Sequence, residues 1–399
     1  MLTLDLIYRA AFALKDLARK TTIINSPSLS HSTGASIWLK TENLQLTGSF
    51  KLRGAAFKIS QLSDEEKKRG VIACSAGNHA QGVALAATRN NIHSVICLPD
   101  GAPISKVEAT KGYGAQVVMV PGVYDDAYRE ALRLRDEMGY TFIHPFDDDY
   151  VIAGQGTIGL EILDEFPEVQ AVIVPVGGGG LISGIAYAVK TLRPDVKVYG
   201  VQAAGAASMV NAIRDNKIIT LDSVTTIADG IAVKQPGETT FEMCRKYVDE
   251  IVTVTDDEIA AAILALIEKQ KLISEGAGAV SVAAAMFDKL PIKDLNTVCV
   301  VSGGNVDVTI LSRIINRGLQ RSGRMCRLDL ALADKPGQLR DVSRIIADHG
   351  GNVINVLHEH GGNGTNINDC VLRLEMETRN YEHIEEIRSS LTNEGFTLI

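Results

Sequence analysis

The chain has 399 residues, 46% of them hydrophobic and 22% charged, enough for two or three domains with substantial cores. With 48 acidic against 40 basic residues and a net charge of −8, it carries no basic footprint for nucleic acid. No run approaches the roughly 18 apolar residues of a membrane span, and Met1–Lys20 is broken by Asp5, Arg9, Lys15, Asp16, Arg19 and Lys20, so neither a membrane segment nor an export signal is expected.

Apolar runs predict strands near 36–39, 71–74, 93–98, 116–120, 171–176, 197–201 and 297–302, alternating with helical stretches. Alternation of this kind reads as α/β with largely parallel sheets. Between the first two strands lies Leu46-Thr-Gly-Ser-Phe-Lys-Leu-Arg-Gly54. Lys51 stands there past a Gly-Ser turn and between large apolar neighbours, where partial desolvation disfavours the ammonium form and frees a lone pair for an aldehyde. It reads either as a Schiff-base lysine or as an ordinary surface lysine. The second strand runs into Ser75-Ala-Gly-Asn-His-Ala-Gln-Gly82. This small-residue loop precedes a helix over 80–87 and can present N–H groups to a carboxylate, with Asn78 able to donate and accept.

Farther along, Ala171-Val-Ile-Val-Pro175 leads into Gly177-Gly-Gly-Gly180 and a helical pattern over 182–192. Strand, glycine loop and helix in that order let the backbone approach an anion at a helix start, where unpaired N–H groups and the dipole favour a phosphate. A flexible hairpin is the other reading. The loop is not a dinucleotide fingerprint, because its third glycine position holds Ser183, nor a Walker loop, because no Gly-Lys-Ser/Thr closes it. The last predicted strand ends in Ser302-Gly-Gly-Asn305. That puts a hydroxyl at the edge where open α/β sheets bind ligands, or simply begins a turn.

With these four segments assembled, the chain resembles the fold-type II (tryptophan synthase β-like) pyridoxal-phosphate enzymes over about residues 20–320, and within them the threonine ammonia-lyase and serine dehydratase group. The resemblance implies a catalytic domain over 1–320, with a smaller subdomain at about 48–147 that closes over the cofactor, pyridoxal 5'-phosphate. It implies that Lys51 forms the covalent link to that cofactor, that Phe50 lies against the pyridine ring and that Asn78 bonds the ring oxygen. Gly177, Gly178, Gly179, Gly180 and Leu181 would cradle the phosphate, and Ser302 would bond the ring nitrogen. Ser75, Ala76, Gly77, Asn78 and His79 would hold the substrate carboxylate.

A neutral Ser302 does not keep the pyridine protonated, so the cofactor is a milder electron sink, suited to the short-lived carbanion of β-elimination. Lys51, once released as an amine, would remove the Cα proton, and the resemblance implies that the cofactor phosphate assists departure of the β-hydroxyl. The implied reaction takes L-threonine to 2-oxobutanoate and ammonia, and L-serine to pyruvate. Serine racemases, which resemble this chain, usually carry a serine at the position of Ala76, and alanine cannot transfer a proton, so elimination is expected rather than racemisation. Gln202 stands where related enzymes often have a glutamate that helps hold a divalent cation, so no metal ligand is expected.

Beyond a polar boundary at Asn316–Arg324, residues 326–399 read as βαββαβ, a ferredoxin-like order. A strand over 327–332 is followed by Asp334-Lys-Pro-Gly337 and a helix with apolar Leu339, Val342, Ile345 and Ile346. Strands near 352–358 and 367–376, a helix near 381–392 and a short final strand complete the order. This part resembles the ACT domain, a module that binds amino acids, and Asp334-Lys-Pro-Gly-Gln-Leu339 matches its ligand loop. The implied effector contacts are Asp334, Pro336, Gly337, Gln338 and Leu339, the effector a branched-chain amino acid, and the assembly a homotetramer. A purely oligomerising domain is the alternative.

The remaining features read blandly. His358 and His360 alternate onto one strand face with no third ligand in sight, a surface pair. Asp147-Asp-Asp149 reads as a solvated loop and His79 as a capping or packing residue, while the resemblance puts Glu275, in Ser274-Glu-Gly-Ala-Gly278, near the cofactor without fixing its role. Six cysteines scattered without zinc-type spacing match reduced thiols in a cytoplasmic protein. Two other classes compete. A nicotinamide-dependent dehydrogenase lacks its fingerprint, and a non-catalytic amino-acid sensor would keep the C-terminal loop but shed Lys51, Asn78 and Ser302, all of which are present.

Overall fold

The β-branched runs become strands buried on both faces, as parallel pairing under helices requires. A computed structural model of the chain describes residues 1–360 and 369–399, divided into two compact units, Met1–Asp307 and Val308–Ile399. In the first unit a six-stranded sheet has the order Ile23–Asn25, Ser36–Lys40, Asn296–Val300, Ala171–Pro175, Lys197–Ala203, Glu250–Val254. Every neighbouring pair is parallel except the first. A second, all-parallel sheet has the order Gln116–Val120, Ser94–Pro99, Val71–Cys74, Thr141–Phe142.

The core of the large sheet joins Val172, Val174, Val298 and Val300 to Ile182 and Ile185 of the helix Gly180–Leu192 and to Ile158 and Ile162 of the helix Asp149–Glu165. Each is fully buried, and burying such a side chain stabilises by about 1.5–3 kcal/mol. Strand Ala171–Pro175 is buried at all five positions. Its neighbour ends at Val300, so Ser302, read from the sequence as the strand's last residue, stands two residues past it.

Three strands escaped the sequence reading. Ile23–Asn25 and Thr141–Phe142 have three and two residues, too few to show a period, and Glu250–Val254 sits half-buried at the sheet edge. The polar stretch 316–324 also differs from expectation. It is helical as far as Arg321, at the end of the helix Val308–Arg321, because Leu311, Ile314, Ile315 and Leu319 recur at helical spacing and outweigh one glycine.

After the helix Val308–Arg321, the second unit has the order strand Met325–Ala333, helix Gln338–Asp348, strands Asn352–His360 and Asp369–Glu377, helix Tyr381–Asn393, strand Thr397–Leu398. The first two positions of the third expected strand, 367 and 368, lie outside the described residues. Its sheet is antiparallel, with the second, third, first and fourth strands adjacent in that order, which is the ferredoxin-like arrangement. Leu328, Leu330, Leu332, Leu372 and Leu374 pack there against Val342, Ile346 and Ile387.

All six cysteines are free and buried, and burial pushes the thiols of Cys74, Cys244 and Cys299 up to about 12. Among the described residues no helix is long and apolar enough to cross a membrane.

Candidate active site

Strands Ala171–Pro175 and Asn296–Val300 are parallel neighbours far apart in sequence, and each ends in a glycine-containing loop beside the other. After Pro175 the chain passes through Gly177–Gly179 into the helix Gly180–Leu192. Gly179 caps that helix in the left-handed region at φ 98°, and a Cβ there would come within 2.7 Å of Thr240 Cβ. A Cβ on Gly178 would come within 2.4 Å of the Phe146 ring. The loop is therefore restricted to glycine by its neighbours as well as by its turn. Thr240 Oγ1 donates to the Gly178 carbonyl at 2.6 Å, and the Asp147 carboxylate accepts from the Glu238 and Thr240 amides at 3.1 Å each. Asp147 is thus a fastening for this loop, while Asp148 caps the helix Asp149–Glu165. The triplet read as a solvated loop is structural.

Lys51 opens the helix Lys51–Ser60, directly after Phe50. Its approach is stitched to the Ser302 loop: the Phe50 amide donates to the Ser302 carbonyl at 3.1 Å, and Ser49 pairs with Gly303. Lys51 Nζ donates to the Pro145 carbonyl at 2.8 Å. Burial pulls its ammonium down to about 8, opposed by the charge of Glu275. Ser302 is buried and donates through Oγ to the Ala277 carbonyl at 3.3 Å.

Two residues past Lys51, Arg53 is almost wholly enclosed. It forks onto both oxygens of Glu42 at 2.9 and 2.8 Å and onto both of Glu161 at 2.6 and 2.9 Å, while Lys40 Nζ reaches Glu161 at 2.6 Å. This network clamps the lysine's helix to Asp149–Glu165. Sequence reasoning passed over it, although an arginine in the apolar run from Leu52 to Ala56 signals a buried cation that needs carboxylate partners.

Asn78 begins the helix Asn78–Arg89, whose cap Gly77 supplies no side-chain hydrogen bond. Asn78 Nδ2 donates to Glu275 Oε1 at 2.6 Å, and its Oδ1 accepts from Asn305 at 2.8 Å. Glu275 is buried. Burial, and then the negative charge of Asp229, push its carboxyl up to about 7. The family resemblance puts its segment, residues 274–278, near the cofactor, and the cleft does contain it, but no sequence feature gave it a role.

Phe50, Lys51, Asn78, Gly177 to Leu181 and Ser302 all line one cleft, together with Phe146 and Glu275. The free space in it is about 40 Å³. Ser75, Ala76 and Gly77 are half-buried and outside that lining. His79 points elsewhere: Nε2 donates to the Ile143 carbonyl at 2.8 Å, and burial pulls its imidazole down to about 3. It packs as a neutral ring. Gln202 Oε1 accepts from the Val210 amide at 2.9 Å. In the second unit Asp334, Pro336, Gly337, Gln338 and Leu339 line a cavity of about 350 Å³. One expectation is corrected there. His358 and His360 do have a third group beside them, Asp334, brought across by the turn after Ala333.

A family model described as pyridoxal-phosphate dependent enzyme matches residues 14–303. The chain belongs to the pyridoxal-phosphate dependent enzymes. Among proteins of this kind, the L-threonine ammonia-lyase of Thermotoga maritima is 49% identical over 396 residues, 99% of this chain and 98% of that one. The structure of a processed threonine deaminase isoform 2 from Solanum lycopersicum superposes with a TM-score of 0.76 at 40% identity, covering 78% of this chain and 87% of that one. A maize serine racemase superposes with a TM-score of 0.76 at 35% identity, covering 80% and 98%.

The residues of the cleft fit the family's cofactor. A glycine loop that admits no Cβ opens a 13-residue helix, offering N–H groups and a dipole to a phosphate. An amine held near 8 faces the same space, ready for an aldehyde. The buried Ser302 hydroxyl can turn to a ring nitrogen, since hydroxyls rotate to suit their partners.

Proposed function

We propose that the chain is a threonine ammonia-lyase, eliminating water from L-threonine to give 2-oxobutanoate and ammonia, and from L-serine to give pyruvate and ammonia. The observation that carries the chemistry is the half-buried Lys51 amine sharing one cleft with the glycine loop, Asn78 and Ser302. The substrate is supported by likeness over 99% of the chain to a protein named for that reaction.

Pyridoxal phosphate, when bound, supplies an aldehyde that joins amines and a ring that draws electrons from Cα. Lys51 would hold it and, as a neutral amine, would take the Cα proton, a role that burial favours by lowering its ammonium to about 8. Gly177 to Leu181 would receive the phosphate through backbone N–H groups at the helix start. Ser302 would give the ring nitrogen a neutral partner, and Phe50, which lines the same cleft, would pack at the ring. Asn78 has one amide hydrogen committed to Glu275, which leaves the other for the ring oxygen. Ser75, Ala76, Gly77, Asn78 and His79 form the turn whose uncapped helix start suits the substrate carboxylate; for His79 this means its backbone, since its ring is committed elsewhere.

Likeness to a serine racemase raises a second reading within the fold. Racemisation needs a proton donor on the second face of Cα, and Ala76 has none. Release of 2-oxobutanoate from L-threonine, pyruvate from L-serine and D-serine from L-serine should therefore be compared on one preparation. Formation of D-serine as fast as pyruvate would overturn the assignment.

The same reading takes residues 1–320 as the catalytic domain, with 48–147 its smaller part, and 326–399 as an ACT domain in a cytoplasmic homotetramer. Support for an effector site comes from the cavity lined by Asp334 to Leu339, which falls in the range of small-molecule pockets, about 300–1,000 Å³. A branched-chain amino acid bound there is expected to alter activity through a coupling of about 1–3 kcal/mol. Titrating the full chain with isoleucine, valine and leucine tests it. If none changes turnover, the domain serves assembly alone.

A further inference from the structure

The cavity of the second unit has a chemically distinct rim. His358 and His360 stand two residues apart near the end of strand Asn352–His360, on the same face by strand alternation. Their rings are 4.6 Å apart, centroid to centroid. Register carries the other wall: His360 lies opposite Cys370, and Cys370 opposite Leu332. The chain that passes Leu332 therefore turns at Asp334 toward the two imidazoles. His360 Nδ1 comes within 3.4 Å of Asp334 Oδ2, and one ligand atom from each of the three residues lies within 4.8 Å of the others.

We propose that Asp334, His358 and His360 form a binding site for a divalent transition-metal ion of the zinc type. Two imidazoles and one carboxylate suit zinc, cobalt, nickel or copper, whereas magnesium and calcium require sets dominated by oxygen. Bonds of about 2.0–2.2 Å to a tetrahedral ion place ligand atoms about 3.3–3.5 Å from one another. The pair of Asp334 and His360 already meets that spacing. No separation has to close by more than roughly 1.4 Å, which side chains that are 58% and 50% exposed at His360 and Asp334 can do by rotation.

Three protein ligands leave a fourth position open. His358 and Asp334 also line the 350 Å³ cavity, so that position faces a space where water or the amino and carboxylate groups of a small molecule can complete the shell. Cys370 takes no part, because it is buried and its Sγ donates to the Leu332 carbonyl.

The test uses the full holoenzyme, with no amino acid present, so its outcome is separate from that of the effector titration. Co2+ is added to wild type, His358→Ala, His360→Ala and Asp334→Asn, and ligand-field absorbance and equilibrium dialysis are read together. Wild type should bind one ion per chain at this site, with bands of a nitrogen and oxygen shell, and Zn2+ should displace it. Each histidine variant should lose affinity by about 100-fold or more, since disturbing even the outer shell of a metal site weakens it 10–100-fold. As a second readout, Zn2+ should raise the melting temperature of wild type and leave that of the histidine variants unmoved. Because the three side chains are exposed, the variants should melt like wild type without metal. Absence of Co2+ binding by wild type, or binding that both histidine variants retain, would overturn the site.

Discussion

Asn78 donates to Glu275 Oε1 at 2.6 Å, a bond that spans 197 residues of sequence and joins the start of one helix to the cap of another. Because Asn305 occupies Asn78 Oδ1, the amide is held at both ends and its free hydrogen has one direction left. The carboxyl that does the holding is itself displaced, from its ordinary 4.5 to about 7, by burial and then by Asp229.

That displacement has a sign. A carboxyl whose value is raised in the fold contributes fully below about 4.5, and the contribution is lost as pH rises to about 7. Glu275→Gln keeps an oxygen for Asn78 and removes the titration. The variant should melt above wild type in mildly alkaline buffer, with the gap closing in acid. A gap that is independent of pH would show that Glu275 is not the titrating group.

Lys51 titrates the other way. Its ammonium is pulled from 10.5 to about 8, so the neutral, reactive fraction grows as pH passes through that value. The initial rate at which the cofactor-free chain takes up pyridoxal phosphate should climb across about 8. Lys51→Ala should fold, develop no visible absorbance with the cofactor, and lose elimination by several orders of magnitude. Turnover near wild type in that variant would remove Lys51 from the chemistry.

Arg53→Ala should be among the most damaging substitutions away from the cleft. It strands Glu42, which is fully buried, and removing one partner of a buried ion pair destabilises by about 3–5 kcal/mol. Denaturant titration of the cofactor-free protein reads this directly. A loss below about 1 kcal/mol would mean that water reaches the network and screens it.

Gly178→Ala tests the cradle. The added methyl falls within 2.4 Å of the Phe146 ring, and such overpacking carries a penalty of about 1–3 kcal/mol. The expected result is weaker capture of pyridoxal phosphate, measured by absorbance titration, with partial recovery in the double variant Gly178→Ala, Phe146→Leu. Unchanged affinity in Gly178→Ala would place the phosphate elsewhere.

What the sequence disclosed was local. Strand followed by glycine loop followed by helix is written in consecutive residues, so Gly177 to Leu181, Asn78 and Ser302 could be nominated before any fold was known, and they do share a cleft. What it withheld was long-range. Glu275 becomes meaningful only when Asn78 arrives beside it, Arg53 only when Glu42 and Glu161 do, and Asp334 only when register sets it against His358 and His360. His79 shows the converse. It lies in the right motif, but the ring turns to a carbonyl behind the helix. Strands of two or three residues have no periodicity to read, which is why Ile23–Asn25 and Thr141–Phe142 escaped notice.

The placement of strand Asn296–Val300 between Ser36–Lys40 and Ala171–Pro175 bears on how the protein is made. Until about residue 300 leaves the ribosome, the strands on either side have no neighbour between them, and the Phe50 amide lacks the Ser302 carbonyl that steadies Lys51. Long-range parallel pairing of this kind forms late. A nascent chain therefore carries Lys51 through most of translation without the Ser302 carbonyl that fixes its neighbour Phe50, so the cleft is a late product of synthesis.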